Sequence, residues 1–155
     1  MSCEILNEAE FLLRIAEERS LPKLKRLLDG AGIERALPIL RRINDLLEGN
    51  NAEVLLALAI RSFHQGQDED ASAFLDRARK LSPEDQQVLR VALFFSAAFG
   101  ENDEAKDLCR RLLSLYPDDQ WARVMDAKLA QGGRILNLDL PPLKVDWESV
   151  VSRKT

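Results

Sequence analysis

The strongest constraint on the fold is an internal repeat with a period of 34 residues. Residues 52–85 align with residues 86–119 without a gap. Nine of the 34 positions are identical in the two segments: Val54/Val88, Leu55/Leu89, Ser62/Ser96, Gly66/Gly100, Ala71/Ala105, Arg77/Arg111, Leu81/Leu115, Pro83/Pro117 and Asp85/Asp119. A single unit of this length cannot bury its own apolar face, so such units stack on one another. The sequence therefore predicts an array of stacked repeats.

The identical glycines and alanines predict two helices in each repeat. Gly66 and Gly100 separate two helical patterns, and the end of a helix favours a residue that tolerates a positive φ. Ala71 and Ala105 follow five residues later, early in the second helix. A small side chain at that position allows the two helices to approach closely, so both alanines are expected to be buried.

A proline-containing phrase joins one helix pair to the next. It reads "SPED" around Pro83 and "YPDD" around Pro117. Ser82 is expected to cap the following helix, with Pro83 in its first position and Glu84 and Asp85 adding negative charge to its first turn. Each phrase is thus interpreted as the end of one helix and the start of another.

These features resemble the tetratricopeptide repeat, a helix-turn-helix unit of 34 residues. The resemblance covers residues 52–119 and rests on the period, the turn glycine, the alanine and the proline. Leu55 and Leu89 replace the bulky aromatic of the family's first helix, and Ser62 and Ser96 replace its tyrosine, so the chain resembles a divergent member. The resemblance implies an all-α fold, a right-handed superhelix of stacked antiparallel helix pairs.

The same period organises the rest of residues 1–132 into one helical domain. A degenerate repeat is expected over about residues 18–51, with Ser20 capping its first helix, and a partial repeat over residues 120–132. The helices expected outside the clear repeats are 4–19, 21–29, 33–48 and 118–131, which makes about eight in all. The first of these is expected to bury one apolar side, formed by Ile5, Phe11, Leu12 and Ile15.

Residues 133–155 break the repeat and form a tail. Pro141 and Pro142 force an extended course, and Asp146 is expected to cap a short turn that includes Trp147. An array needs its last apolar face covered, so we expect the tail to act as a cap on the last helix, with Trp147 largely buried. Two alternatives remain: the tail occupies the concave groove of its own or a neighbouring chain, or it is a disordered docking segment.

Composition and charge argue against nucleic-acid and membrane partners. The 155 residues carry a net charge of −4 and have a pI near 5.2, which disfavours nucleic acid, since that partner calls for a basic face. No stretch approaches the roughly 18 uncharged apolar residues of a membrane span, so no membrane insertion is expected.

Cys3 and Cys109 form no CxxC motif, which disfavours a disulfide framework and fits a reduced, cytoplasmic setting.

Candidate catalytic and metal-binding groups are few. His64 is the only histidine and is expected to end a helix, where the helix dipole favours it. Cys109 corresponds to Leu75 in the preceding repeat and is expected to pack in the core. Phosphate-binding and calcium-binding loops are absent from the sequence. We therefore expect no enzymatic activity, no metal and no cofactor, with hydrolysis by an unrecognised carboxylate pair as the alternative.

The family resemblance implies that the first helices of successive repeats line a concave groove for extended peptides or helices. Helical spacing predicts that Glu53, Gln87 and Ala97 lie on this face. The candidate groove residues are Leu56, Ile60, Phe63, Arg90, Phe94, Trp121, Val124 and Lys128. Arg90 and Lys128 are interpreted as isolated cations on an apolar surface. The apolar candidates alternatively pack against the neighbouring repeat.

The apolar groove predicts a protein-interaction module, an adaptor or a chaperone, that binds an apolar peptide or helix of a partner. Leu56 and Ile60 replace the lysine and asparagine that a related branch uses to grip C-terminal carboxylates, so that specificity is disfavoured. Two alternatives remain. In the first, the chain is a chaperone like those of type III secretion, which it resembles in size and charge. In the second, it is a fixed structural subunit of a homo- or hetero-oligomer.

Overall fold

The computed structural model describes residues 7–132 and 139–152. Within these ranges the chain is helical and contains no strand, which confirms the all-α prediction. The helices are α1 Glu8–Glu17, α2 Leu21–Asp29, α3 Ile33–Leu46, α4 Ala52–His64, α5 Asp68–Leu81, α6 Gln86–Ala98, α7 Asn102–Leu115, α8 Gln120–Ala130 and α9 Trp147–Val151. The described ranges thus hold nine helices instead of the expected eight, because the turn after Asp146 forms the short α9.

The start of each first helix follows the 34-residue period. Asn51, Asp85 and Asp119 occupy equivalent positions and cap α4, α6 and α8. Each side chain accepts a hydrogen bond from the backbone N–H three residues further on, over 2.9–3.1 Å: Val54, Val88 and Ala122. A side-chain oxygen at this position satisfies one of the unpaired N–H groups of the first turn, so one local interaction starts three helices.

The proline phrase differs from the sequence prediction in one respect. Ser82 ends α5 and does not cap α6. Its carbonyl accepts a hydrogen bond of 3.2 Å from the Asp85 N–H, which closes a turn that contains Pro83. Asp85 takes the capping role because its carboxylate, a stronger acceptor than a hydroxyl, reaches the Val88 N–H.

The turns inside the repeats agree with the sequence prediction. Gly66 and Gly100 adopt φ values of 74° and 80° between the two helices of each pair. Ala71 and Ala105 are both 0% exposed, where α5 and α7 pack against their first helices. These four residues confirm the helical hairpins α4–α5 and α6–α7.

Two apolar clusters form the core. The first lies among α4 to α8 and contains Leu56, Phe94, Phe95 and Met125. The second joins α1 to α4 and also takes in Val150 of α9. Consecutive helices therefore share their buried faces, as stacked hairpins do.

The N-terminal helices agree in part with prediction. Ser20 caps α2 by accepting a hydrogen bond from the Lys23 N–H at 3.4 Å, as expected. In α1, Phe11 and Ile15 are buried, whereas Leu12 is 44% exposed, so its expected burial was wrong. The buried side of α1 is narrower than the helical spacing suggested, because only one face contacts α3. Ile5 lies outside the described residues.

Candidate functional site

The tail crosses the first helices of the repeats. We call residues 139–152 the tail segment. It begins beside α8, passes α6 and α4, and ends as α9, which packs against α2. The expected cap was confined to the last helix, whereas the described contacts extend across three further helices. The tail segment thus covers the surface that the repeat pattern assigned to the groove.

Three residues at equivalent positions of successive repeats make polar contacts with the tail backbone. Glu53, Gln87 and Trp121 are separated by 34 residues each. The Trp121 Nε1–H donates to the carbonyl of Asp139 at 2.7 Å. The Asp146 N–H donates to Glu53 Oε1 at 2.8 Å. We call the surface that these three side chains mark the tail face.

The middle residue of this set makes the most extensive contact. Gln87 Oε1 accepts a hydrogen bond of 2.6 Å from the Lys144 N–H, and its Nε2 donates to the Lys144 carbonyl at 3.0 Å. An extended residue presents its N–H and C=O to the same side, and a carboxamide carries one acceptor and one donor group to match them. The Gln87 amide also donates to Glu53 Oε2 at 3.3 Å, which helps to orient it. Since every residue except proline has these two backbone groups, the contact does not depend on the identity of residue 144.

Between Leu143 and Trp147, apolar side chains of the tail segment alternate with exposed polar ones. Leu143 packs against the first core cluster, and Val145 and Trp147 pack against the second. Lys144 and Asp146, which lie between them, are exposed. This period of two is that of an extended strand with one face buried.

The end of the tail segment is anchored at α2. Val150 is 2% exposed, whereas Trp147 is only half-buried and not largely buried as predicted. The Lys25 Nζ lies 5.3 Å from the centroid of the Trp147 ring, which is a cation–π distance. The tail therefore connects α8, near the end of the array, to α2 near its start.

The two expected isolated cations are both paired. Lys128 forms a salt bridge with the carboxylate of Asp139 in the tail segment. Arg90 Nε bonds Asp119 Oδ2 at 2.7 Å, and the Asp119 side chain is 0% exposed. Their interpretation as isolated cations was wrong. Arg90 pairs with the residue that caps α8, and Lys128 pairs with a residue of the tail. Helical spacing within one repeat predicts neither contact.

The environment of Asp119 keeps it charged. Burial alone would raise the pKa of Asp119, but hydrogen bonds from Arg90, from the Ala122 N–H and from Gln86, together with the Arg90 charge, hold this pKa below its usual value. The Gln86 Nε2 contributes a bond of 2.9 Å. Asp119 therefore connects α6 to α8, two residues before Trp121 of the tail face.

The apolar candidates fall into two groups. Phe94 is 1% exposed and Leu56 is 0% exposed, so both belong to the core and offer no surface to a partner. Ile60, at 7% exposed, is also a core residue. Helical spacing misplaced them because a first helix packs on its own second helix and also on the next repeat, which buries more than one side of it.

The remaining candidates lie nearer the surface. Phe63 is half-buried, and its ring stacks on Phe95 with centroids 5.2 Å apart. Trp121 is half-buried and bonds to the tail, and Val124 is 52% exposed. Of the eight candidates, Trp121 and Lys128 form polar contacts with the tail segment. Helical spacing had placed Glu53 and Gln87 on the same face, but neither was among the eight candidates. Their 34-residue spacing from Trp121 is the sequence signal that groups the three residues.

Open clefts flank the tail segment. One of about 640 Å³ lies between the tail and helices α2 to α4, with Ala57, Leu143 and Val145 among its walls. Another of about 600 Å³ lies where Lys144 and Asp146 cross Glu53 and Gln87. The tail therefore does not fill the surface that it crosses.

Reactive and metal-binding groups are sparse within the described ranges. Burial, followed by the charges of Asp126 and Asp119, raises the pKa of the Cys109 thiol to about 11. Its Sγ lies 3.4 Å from the carbonyl of Ala122, to which it donates. No three His, Cys, Asp or Glu residues of the described chain are grouped to hold a metal ion. His64 is the exposed last residue of α4.

Comparisons with known proteins assign no family to the chain. No protein-family model matches the chain, and no curated protein is significantly similar to it. Among residues 7–132 and 139–152, no helix is both long and apolar enough to cross a membrane.

Proposed function

We propose that the chain is a non-enzymatic protein-interaction module that holds an extended apolar segment of a partner protein on the tail face. The observation that carries this proposal is the threefold use of one repeat position. Glu53, Gln87 and Trp121 each bond to the backbone of the tail segment, which contains no regular secondary structure from residue 140 to residue 146. A surface that engages the backbone in this way suits a peptide ligand, because the main-chain bonds supply affinity and the apolar side chains supply specificity.

The chemistry of the surface supports a binding role more than a catalytic one. Two cations near the tail face form ion pairs, Arg90 with Asp119 and Lys128 with Asp139. Neither pair combines a nucleophile with a general base, which covalent catalysis requires. The apolar walls of the flanking clefts, by contrast, suit apolar side chains of a bound segment.

The proposal is tested with a fluorescently labelled peptide of residues 139–152, added to the full-length chain with its own tail released. Lys144→Pro provides that release, because proline lacks the N–H that Gln87 accepts. We expect saturable binding by fluorescence anisotropy. Binding is expected to fall at least about fivefold when Gln87→Ala or Trp121→Ala is added, since each removes at least one hydrogen bond of about 1 kcal/mol.

Arg110→Ala in the same background is the matched control. Arg110 is exposed on α7, away from the first helices. We expect this variant to bind the peptide as the Lys144→Pro chain does. If the Lys144→Pro chain shows no saturable binding, or if the tail-face substitutions have no more effect than Arg110→Ala, the proposed function is wrong.

A further inference from the structure

The tail segment shows which chemistry suits the tail face. Leu143, Val145 and Trp147 direct apolar side chains towards the core clusters at alternate positions. Lys144 and Asp146, between them, donate their backbone N–H groups to Gln87 and Glu53. An occupant of this surface needs both features, an alternating apolar pattern and free N–H groups at the intervening positions.

The tail segment is held less firmly than the helices beneath it. Within residues 139–152, Pro141 and Val150 are buried, whereas Leu143, Val145 and Trp147 are only half-buried. The hydrogen bonds at Lys144 and Asp146 are exposed to solvent. Segments with few buried contacts and exposed hydrogen bonds open at low free-energy cost.

A second segment cannot use the tail face while the tail is in place. The Gln87 carboxamide already uses Oε1 and Nε2 on Lys144. The Trp121 indole has a single N–H, which Asp139 occupies. A partner that makes these contacts therefore has to displace the tail segment.

We propose that the tail segment is a resident competitor, and that the partner is a protein segment of the same type. That segment is extended, runs from α8 towards α2, carries apolar or aromatic residues at the positions of Leu143, Val145 and Trp147, and has no proline at the position of Lys144. This proposal rests on the proposed function, because it requires the tail face to bind a segment of another molecule.

The tether gives the resident tail a large advantage. A segment joined by a short linker acts at an effective concentration on the order of 1 mM. If the tail sequence itself binds the released face with a Kd of about 10 µM, this competition weakens the apparent affinity of any free segment on the order of 100-fold. The partner therefore needs a better match to the tail face than the tail has, or contacts in the flanking clefts.

The test compares chains that differ only in tail release. The labelled peptide of residues 139–152 is titrated into the wild-type chain, Lys144→Pro and the control Lys144→Ala, which keeps its backbone N–H. We expect Lys144→Pro to bind at least about tenfold more tightly than wild type. Lys144→Ala is expected to match wild type, because the Lys144 side chain is exposed.

Modified peptides test the backbone contact. N-methylation of the peptide at the residue corresponding to Lys144 removes the N–H that Gln87 accepts, and we expect at least about tenfold weaker binding to the Lys144→Pro chain. N-methylation at the residue corresponding to Val145 is the control. The Val145 N–H makes no hydrogen bond to another described residue, so a smaller loss is expected.

The remaining outcomes overturn this proposal in distinguishable ways. Equal binding to wild type and Lys144→Pro means that the tail does not compete, although the proposed function survives. Absence of binding to every chain removes the proposed function as well. Loss of helical circular dichroism in both Lys144→Pro and the milder Val145→Ser makes the tail a permanent part of the fold. A wild-type dimer by light scattering that Lys144→Pro converts to a monomer makes a second copy the occupant.

Discussion

Arg90 and Asp119 form an ion pair of 2.7 Å that connects the middle of α6 to the cap of α8. The two residues lie 29 positions apart, and the carboxylate also caps its own helix. One side chain thus fixes both the start of a helix and its position relative to the preceding repeat. Breaking this pair is expected to loosen the array beneath the tail face.

Asp119→Asn is expected to lower the free energy of unfolding by about 2–3 kcal/mol, because it leaves Arg90 without its charged partner while keeping a capping side chain. Asp85→Asn is the matched control, since Asp85 is the equivalent cap and is exposed. We expect it to cost less than about 0.5 kcal/mol. Urea unfolding followed by circular dichroism measures both, and equal losses would contradict the special role of Asp119.

The stability difference between wild type and Asp119→Asn is expected to depend on pH. The pKa of Asp119 is lowered in the folded chain, so its contribution to stability is fully present above its unfolded pKa, about 3.9, and is lost as the pH falls through the lower folded value. The difference in stability between wild type and Asp119→Asn is therefore expected to be constant from pH 7 to about pH 5 and to shrink below about pH 4. A difference that grows on acidification would show that Asp119 is not a stabilising carboxylate.

Cys109 is expected to be inert in the native chain. It is 0% exposed, and its pKa of about 11 leaves little thiolate at neutral pH. In a Cys3→Ser background, a thiol reagent is expected to label Cys109 only as fast as the chain opens, and addition of urea is expected to accelerate labelling. Labelling at the rate of a free thiol in native buffer would place Cys109 at the surface.

The turn glycine provides a test of the repeat geometry. Gly66 has a φ of 74°, and a Cβ there would meet nothing within 4 Å. Gly66→Ala is therefore expected to destabilise the fold by about 1–2 kcal/mol through backbone conformation alone. Gly30 ends α2 with a φ of −91°, so Gly30→Ala is expected to change stability by less than about 0.5 kcal/mol. Equal thermal shifts for the two variants would count against the left-handed turn.

Phe94 is expected to behave as a core residue. Its ring lies 5.7 Å from that of Phe63 and 6.2 Å from that of Phe95, measured between centroids. Phe94→Ala is expected to cost about 3–5 kcal/mol, whereas Val124→Ala on the exposed side of α8 is expected to cost less than about 1 kcal/mol. A small loss for Phe94→Ala, coupled to a loss of peptide binding, would restore its earlier interpretation as a groove residue.

Much of the fold could be predicted because several residues have one dominant local role. Gly66 and Gly100 mark turns that need a positive φ, and Ala71 and Ala105 mark fully buried positions between paired helices. These features depend on neighbours in the chain, and the 34-residue period repeats them. Local chemistry and period together therefore define the hairpins.

The site was harder to predict because it depends on contacts between distant residues. The alternation of Leu143, Val145 and Trp147 fits any apolar surface and does not say which one the tail covers. Likewise, helical spacing groups Phe94 with Trp121, although one is buried in the core and the other lies under the tail. Only the three-dimensional packing of the repeats separates these roles.

The central claim is that the tail lies on the tail face in the native chain, and one NMR measurement tests it directly. In a ¹⁵N-edited NOE spectrum of the full-length chain, we expect a cross-peak between the Lys144 backbone amide proton and the side-chain amide protons of Gln87. The two groups lie close together because the Lys144 N–H donates to Gln87 Oε1 at 2.6 Å and Gln87 Nε2 donates to the Lys144 carbonyl at 3.0 Å. The Lys144 and Asp146 amides are also expected to exchange with solvent more slowly than an unstructured peptide. Absence of that cross-peak, with both amides exchanging at the unstructured rate, would contradict the account.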